Sequence, residues 1–461
     1  MSTFSGLNTT SKALAAAQRA MEVTGQNIAN ANTAGYTRQR VELSAVGTPE
    51  TGLNARRNVP GGGVDVMGID RVTNVFVDAT RRQDIALSAE AQAASTVWTT
   101  VEGSLGEPGS NSLTTRLTDM YKSWGDLSNA QGSDAVTAAR ATVIARSQAV
   151  ADTLGTVDGQ LQTQWFGLKD QVGSLAEDVN SAATRVAELN TSILAANVQG
   201  ASPNELMDQR DRLVTRLAEL TGAHVVQRDH GVVDVYIGNS TLVAGAIAET
   251  FSVSNAGVTF QQVKGGQGQE LGVQIGKTAV APASGQLKAL LEGVNSTVPG
   301  VANKLDEVAT TIATQVNARY AGGTSPFFSA TPADLSRSGP ASSLKVLVTG
   351  TTDAEFRDST AGTVDRASAK AIAKLPETDV SPSKTWRTSV VGIASASQAA
   401  ESRAEMAADV ALKSDAARES VSGVSIDEEM TNLVAFQHAY AAAARVFSAI
   451  DEALDVLINR T

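Results

Sequence analysis

The chain has no cysteine and only three histidines among its 461 residues. Without cysteine it can form neither a disulfide bond nor a thiolate metal site. His224 and His230 lie close along the chain, but on one extended strand they would be about 20 Å apart, at roughly 3.3 Å per residue. Because no third ligand is evident even if a turn brought them together, the sequence predicts no metal site, no catalytic site and no cofactor.

Aromatic residues (4%) and charged residues (18%) are also scarce. The core must therefore be built mainly from Ala, Val, Leu and Ile, which suits long, thin helices and an elongated molecule. The net charge of −11 comes from 48 acidic and 37 basic residues, and it opposes non-specific binding to nucleic acid or to an anionic membrane. The length is enough for about two to four domains.

A signal peptide and a long apolar run are missing as well. The first residues contain no basic segment followed by an apolar core, and nowhere do about 18 apolar residues follow one another. We therefore expect no membrane insertion. The protein should either stay in the cytosol or be exported by a route that does not use a cleaved signal peptide.

Both ends of the chain carry apolar residues at helical spacing. Near the N-terminus, large apolar residues recur every seven positions and small or polar residues fill the other seam positions: Leu7, Leu14, Met21 and Ile28, with Ser11, Gln18 and Gly25. Near the C-terminus, apolar residues alternate spacings of three and four: Leu433, Phe436, Tyr440, Ala443, Phe447, Ile450, Leu454 and Leu457. Since isolated helices are marginal in water, we expect both ends to be largely disordered in a free monomer. They should fold by packing on each other or on a neighbouring chain, which makes these residues the predicted assembly seam.

Between the ends, Ala-rich segments predict helices over about 86–130, 134–200, 203–221, 285–320 and 386–420. The third helix carries the clearest start, end and surface signals: a capping box of Ser202 and Glu205, Pro203 at the first helical position, a closing Gly222, and an i,i+4 ion pair of Asp208 and Arg212. The same reasoning predicts a capping box of Ser425 and Glu428 at the start of the C-terminal helix.

The pattern changes at residue 223. Val233, Val235 and Ile237 alternate with other side chains and turn residues follow at strand-length intervals, so a small inserted β domain is predicted over 223–284. The segment 324–385 is predicted to be loop-rich, with one strand candidate at 344–348. The predicted fold class is therefore mainly α with an inserted β domain.

Several other motifs are given ordinary structural roles. The glycine-rich stretches 60–66 and 264–272 lack the order of strand, glycine loop and helix that a phosphate site requires, so they are predicted turns. The doublets Arg56–Arg57 and Arg81–Arg82 are predicted to be solvated or in ion pairs, and His438 to lie at a surface or an interface.

Four stretches, 6–39, 61–82, 203–226 and 422–460, resemble the family of flagellar hook-associated protein 1, the junction protein between the bacterial hook and filament. The first and last stretches are similar to axial flagellar proteins in general, and the third is more particular to this family. The motif residues are Asn27, Asn30, Asn32, Gly35 and Tyr36 in the first stretch, and Asp208, Gln209, Arg210 and Asp211 in the third. Family members commonly have Pro where this chain has Ala34, so the turn that follows should be less restricted here.

The resemblance implies an elongated, multi-domain arrangement. Residues 1–30 and 427–461 would pair as an inner coiled-coil domain that lines the axial tube. A mixed, mainly helical middle domain would comprise 31–222, 285–323 and 386–426, and the β domain would lie outermost.

The resemblance also implies partners and a location. The protein would be secreted by the flagellar type III apparatus without cleavage, and an export chaperone would hold its C-terminal helix. It would self-associate into a ring or tube at the hook–filament junction, between hook protein and the second junction protein, hook-associated protein 3, and would have no enzymatic activity. The alternatives are another axial component, such as hook protein or flagellin, and a secreted enzyme or adhesin on a flagellar scaffold.

Overall fold

The computed structural model of the chain describes residues 3–46, 62–268, 270–320, 325–329, 339–352, 356 and 366–459. The helices are α1 (Thr3–Asn30), α2 (Val75–Leu105), α3 (Leu113–Asn129), α4 (Ser133–Val198), α5 (Asn204–Thr221), α6 (Phe260–Lys264), α7 (Gln286–Glu292), α8 (Val298–Asn317), α9 (Pro340–Ser343), α10 (Arg366–Ala373), α11 (Pro382–Ser422) and α12 (Ile426–Asn459). The strands are β1 (Gln39–Ala45), β2 (Val64–Arg71), β3 (His224–Gln227), β4 (Val233–Ile237), β5 (Ser240–Ala244), β6 (Ile247–Ala248), β7 (Phe251–Ser254), β8 (Gly272–Ile275) and β9 (Thr278–Val280). A mainly helical chain with antiparallel sheets is confirmed.

Helix α4 is the central support of the fold. Its 66 residues span roughly 100 Å at 1.5 Å per residue. Apolar residues at spacings of three and four, from Val143 through Trp165 to Ile193, are buried along it. Helices α3, α5 and α8 and both larger sheets pack against this stripe. The core is therefore continuous along the helix.

Helices α2 and α11 form a long antiparallel pair. Arg418 lies 3.3 Å from Asp78, and further along the pair Arg81 forms an ion pair with Asp415. The prediction of an ion pair is thus confirmed for Arg81, whereas Arg56 and Arg57 lie outside the described residues.

Two asparagines of α4 hold the larger sheets, which have the strand orders β3-β4-β5-β6 and β7-β8-β9. Asn190 Nδ2 donates to the carbonyl oxygen of Val233 at 2.8 Å, and its Oδ1 accepts from the Val233 N–H at 3.2 Å. Asn180 makes the same paired contact with Phe251, at 2.7 and 2.8 Å. The β region therefore shares its core with α4, and whether it forms a separate outer domain stays a prediction.

The hairpin of β1 and β2 was not predicted as a pair. The strands are antiparallel, with a register shift between Glu42 and Leu43. In β1, Val41, Leu43 and Ala45 alternate with polar residues, but five of its seven side chains are exposed, and this pattern does not show that β2 is the partner strand. The stretch 60–66 was predicted to be a turn, but β2 begins within it at Val64, so the prediction was only partly right. Residues 60 and 61 lie outside the described part.

Three local predictions were wrong. The helix predicted over 86–130 is two helices, because Gly106 ends α2 with a φ of +61° and Pro108 follows. Ser202 forms no capping box, since its hydroxyl accepts from the backbone N–H of Ile69 at 3.3 Å and α5 begins only at Asn204. Within the described residues, the strand candidate at 344–348 makes only an isolated bridge, from Val346 to Phe328.

Candidate functional site

Helices α1 and α12 pack antiparallel. An added Cβ on Gly6 would lie 3.3 Å from Ile450, and at the other end Asn27 contacts Glu429. Between these contacts small and polar residues are buried on α1, including Thr10, Ala17, Ala20 and Thr24. The residues of α1 that are buried between these two contacts are therefore smaller than the predicted seam residues.

The predicted seam residues are only partly covered in one chain, although Ile450 meets Gly6 of α1. Those of α1 and those of α12 up to Leu454 are half-buried, except Tyr440, which is 40% exposed; the side chain of Leu457 lies outside the described part. The intervening positions Ser11, Gln18 and Gly25 are exposed, so their assignment to the seam was wrong. The large seam side chains of both helices are therefore less buried than the small residues of α1. The disorder expected in a free monomer stays a prediction.

The turn after α1 redirects the chain away from the helix pair. Gly35 has a φ of +78°, a conformation that favours glycine. A Cβ at this position would also lie 2.7 Å from Cδ of Arg212. The Tyr36 N–H donates to the carbonyl oxygen of Thr33 at 3.1 Å and closes the turn. Ala34, where Pro is common in the family, is exposed.

Asn27 is the centre of a buried polar network below this turn. Its Nδ2 donates to the Gln39 carbonyl oxygen at 2.8 Å and to Glu429 Oε2 at 3.0 Å. Its Oδ1 accepts from the Tyr36 hydroxyl at 2.9 Å and from the Gln39 N–H at 3.0 Å. One side chain thus connects α1, the turn, β1 and α12, and its hydrogen-bonding capacity is filled.

The start of α12 is tied to the same turn by charge. Arg38 lies 2.7 Å from Glu429 and 2.9 Å from Glu428. Its backbone N–H donates to the carbonyl oxygen of Ser422 at 3.0 Å. The Ser425 hydroxyl accepts from the Glu428 N–H at 3.4 Å, but the Glu428 side chain turns to Arg38, so only half of the predicted capping box is present.

The motif on α5 faces this network. Asp208 Oδ2 accepts from the Thr37 N–H at 3.1 Å, and its Oδ1 lies 3.0 Å from Arg71 Nε. Arg71 also contacts Asp211 at 2.5 Å. The predicted ion pair between Asp208 and Arg212 was wrong, because Asp208 points inward to Arg71 and Arg212 lies against the turn at Gly35. We call these linked contacts of α1, the turn, β1, β2, α5 and α12 the polar junction.

Burial and nearby charges shift the pKa values of two carboxyl groups in the polar junction in opposite directions. Burial raises the pKa of Asp208 despite the nearby charge of Arg71. Burial also acts to raise the pKa of Asp211, but Arg71 and Arg210 together outweigh it and hold that pKa below its usual value. Burial, followed by the charges of three carboxylates, raises the pKa of Tyr36 to about 12, so its hydroxyl remains a donor at neutral pH.

The remaining motif residues contribute less to the junction. Within the described part of the chain, the hydrogen bonds of the Asn30 side chain are local: it donates to the carbonyl oxygen of Gln26 at 3.0 Å and accepts from Thr33. Asn32 is exposed and Gln209 is half-buried. Arg210 donates to the carbonyl oxygen of Gly231 and so connects α5 to the β region.

Other candidate sites have ordinary surroundings. His224 stacks on Tyr236, with ring centroids 5.5 Å apart, and His438 is exposed. Among the residues that the structure describes, no group of three or more His, Asp or Glu side chains is placed to hold a metal ion. One helical stretch, Pro382–Val456, has a window of mean hydropathy 1.2 with no buried residue, which meets the length and composition of a membrane-crossing helix but shows nothing further.

Comparison with known proteins places these features in one family. The model of the flagellar hook-associated protein FlgK helical domain matches residues 98–326. Models of flagella basal body rod protein and of the flagellar basal body rod FlgEFG protein C-terminal region match 7–37 and 418–460. The chain is 29% identical to flagellar hook-associated protein 1 of Bacillus subtilis, over 99% of the chain and 98% of that protein. The chain belongs to the family of flagellar hook-associated protein 1.

Other relatives match more partially. The protein of the same name from Escherichia coli is 31% identical over 52% of this chain and 43% of its own length. A solved structure of the flagellar hook junction protein FlgK from Burkholderia pseudomallei has a TM-score of 0.43 and 25% identity, and it covers 53% of this chain and 43% of that one.

Membership of this family gives the protein its role. It is a structural, hook-associated junction protein of the bacterial flagellum, and it associates with other flagellar proteins. The family consists of structural proteins rather than enzymes. The polar junction fits such a role, because it fixes the geometry of the terminal helix pair.

The sequence did not indicate several residues of the polar junction: Arg38, Gln39, Arg71, Glu429 and also Asn204, whose Nδ2 donates to Gln39 Oε1 at 3.0 Å. Their partners are up to 402 positions away in the chain. The only local signal was that Arg38 and Gln39 follow the Gly35–Tyr36 turn directly.

Proposed function

We propose that the chain self-associates at the hook tip into a ring or tube that connects hook to filament. In this arrangement α1 and α12, within 1–30 and 427–461, form the inner coiled-coil domain. The remaining helices form the middle domain, and 223–284 is carried furthest out. Neighbouring copies interlock through the apolar residues of the terminal helices.

The observation that carries this proposal is the apolar surface of α12. Six large apolar side chains along the helix are between 40% and 52% exposed: Ile426, Met430, Val434, Tyr440, Val446 and Val456. Completing the burial of each would contribute on the order of 1 kcal/mol, so neighbouring subunits would gain several kcal/mol per chain. An apolar surface of this extent is typical of an interaction site.

The position of α1 supports neighbouring copies as the cover. Within one chain α1 occupies one side of α12 and leaves the other side open. A second copy brings the same two helices with the same half-buried seam, so it can complete the packing without a new kind of surface. The apolar composition within Pro382–Val456, which resembles that of a membrane-crossing helix, is explained in the same way: neighbouring copies of the protein, rather than lipid, would cover the apolar residues.

We assign the partners from the family to which the chain belongs. Hook protein would lie on one side of the ring and hook-associated protein 3 on the other. Before assembly an export chaperone would cover α12, whose exposed side chains otherwise favour aggregation. Export would use the flagellar type III apparatus without cleavage, and the protein would act at the hook–filament junction without enzymatic activity.

A matched pair of substitutions on α12 tests the interlocking helices. Val434→Asp places a charge on the open apolar face, whereas Gln437→Asp places the same side chain at an exposed polar position one turn away. We expect the Val434 variant to keep its helix content but to fail to add to hook tips, counted by electron microscopy, while the Gln437 variant adds normally. Leu454→Asp and Leu7→Asp should behave like the Val434 variant.

Wild-type addition of the Val434 and Leu454 variants would overturn the proposal, as would equal loss in the Gln437 variant. Labelling of the assembled protein separates the axial alternatives. A thin zone at the hook end supports the junction, whereas labelling along a long tube would point to a hook-protein-like or flagellin-like role.

A further inference from the structure

A buried lysine lies between two carboxylates in the middle of the fold, away from the polar junction. Lys264 is the last residue of α6, and its Nζ is 2.9 Å from Asp158 Oδ1 on α4 and 2.8 Å from Asp306 Oδ2 on α8. The side chains of Lys264 and Asp158 are each 4% exposed, and that of Asp306 is 16% exposed. Two carboxylates for one ammonium group exceed what charge neutrality requires in a buried site.

The elements that carry the three groups are held firmly. A capping box of Thr259 and Gln262 begins α6, and Asn303 Nδ2 on α8 donates to the Lys264 carbonyl oxygen at 3.1 Å. Gly339 covers the group so closely that a Cβ there would lie 2.6 Å from Lys264 Nζ. The reacting groups are thus held close together in a largely buried space, which favours a high effective concentration.

We propose that Lys264 Nζ and Asp158 Cγ join in an intramolecular isopeptide bond, with Asp306 as the catalytic residue that carries the protons. Asp306 suits that part because both of its oxygens are held, Oδ2 by Lys264 and Oδ1 by the Ala341 N–H at 2.9 Å. Burial raises the pKa of Asp306 despite the charge of Lys264, so this carboxyl accepts a transferred proton readily.

The reaction is a condensation without a change of oxidation state. Asp306 takes one proton from the Lys264 ammonium, and the free amine attacks Cγ of Asp158 to form the C–N bond. Asp306 passes this proton, and then a second one from the same nitrogen, to one carboxyl oxygen of Asp158. The C–O bond breaks and that oxygen leaves as water. Ammonium plus carboxylate gives amide plus water, and Asp306 ends as it began.

The bond would connect positions 106 residues apart and join α4 to α6 in a chain that has no cysteine. Such a cross-link restricts the unfolded chain in the way a disulfide does. It would therefore supply covalent reinforcement to the middle of a structural protein by a route that needs no oxidant.

Mass spectrometry of the full chain in denaturant tests this proposal directly. We expect the folded wild-type protein to weigh one water, about 18 Da, less than its sequence requires. Tandem spectra of a digest should show one joined peptide that contains Asp158 and Lys264. Lys288 and Glu90 provide an internal control, because they are 2.7 Å apart but 41% and 20% exposed, and they should stay unlinked.

Time and substitution test the role of the fold and of Asp306. Protein collected in urea before folding should have its full mass and lose water on refolding. Lys264→Met and Asp306→Asn should keep the full mass, with folding checked by circular dichroism. Full mass in folded wild-type protein after long incubation would overturn the proposal whether or not the variants fold. A bond to Asp306, a bond at Lys288, or a folded Asp306→Asn chain that still loses water would overturn it too.

Discussion

At the scale of single residues, the polar junction shows that the surroundings of two aspartates can shift their pKa values in opposite directions. Asp208 and Asp211 are three residues apart on α5 and share Arg71, yet their pKa values move in opposite directions. Asp208 has one arginine near it and is dominated by its burial. Asp211 has both Arg71 and Arg210, which together exceed the effect of burial. The two charges therefore contribute to stability in opposite pH ranges.

The opposite shifts predict opposite effects of two matched substitutions. The folded pKa of Asp208 is raised, so its protonation favours the folded state as pH falls towards the unfolded value near 3.8. The folded pKa of Asp211 is lowered, so its contribution is present above the unfolded value and is lost as pH falls through the folded one. Asp208→Asn should thus steepen the loss of stability on acidification, and Asp211→Asn should make it shallower.

Urea midpoints followed by circular dichroism across the acid range, from about pH 6 to pH 3, give the two slopes. The slopes rather than the absolute midpoints are decisive, because either substitution also changes the pairing of Arg71. A change of the same sign in both variants would show that the two carboxylates do not differ as described.

At the scale of elements, the exit from α1 depends on one glycine. Gly35→Ala would force a Cβ into a φ of +78° and against the side chain of Arg212, so we expect a loss of about 1–2 kcal/mol. Gly25→Ala is the matched control, because that glycine lies inside α1 and a Cβ there meets nothing within 4 Å. It should not lose stability, and because α1 opens easily in the monomer its gain should stay below the roughly 0.5–1 kcal/mol expected in a stable helix. Urea unfolding of both variants checks this, and equal effects would contradict it.

Some elements could be predicted from the sequence and others could not. The apolar spacing of α4 and the closing Gly222 of α5 are local signals, and the structure has both. The sequence did not show which face of α1 is buried. That face is made of small residues such as Ala17 and Thr24, whose spacing gives little apolar periodicity. The pairing of β1 with β2 was missed because alternating residues such as Val41 and Leu43 do not show which strand is the partner.

At the scale of the whole molecule, the terminal helices differ from the core in how far one chain can bury them. The stripe on α4 reaches 0% exposure at Val150, Trp165 and Val179. The seam on α12 is only half-buried, although its spacing is as regular. Apolar periodicity could therefore predict a seam at each end of the chain. It could not predict the polar junction that fixes the geometry of the two terminal helices, because the contacts of that junction join residues up to 402 positions apart.

This difference predicts how backbone amides exchange with solvent. In a dilute monomer, residues 1–30 and 427–461 should exchange fast, because a half-buried helix pair opens easily, while α4 stays protected. In an assembled complex the same two segments should become strongly protected, because neighbouring copies cover the seam. Hydrogen exchange with mass spectrometry measures both states, and α4 serves as the internal reference. Equal protection of α12 and α4 in the dilute monomer would mean that the terminal helices are stable alone, and the apolar face of α12 would then need another explanation.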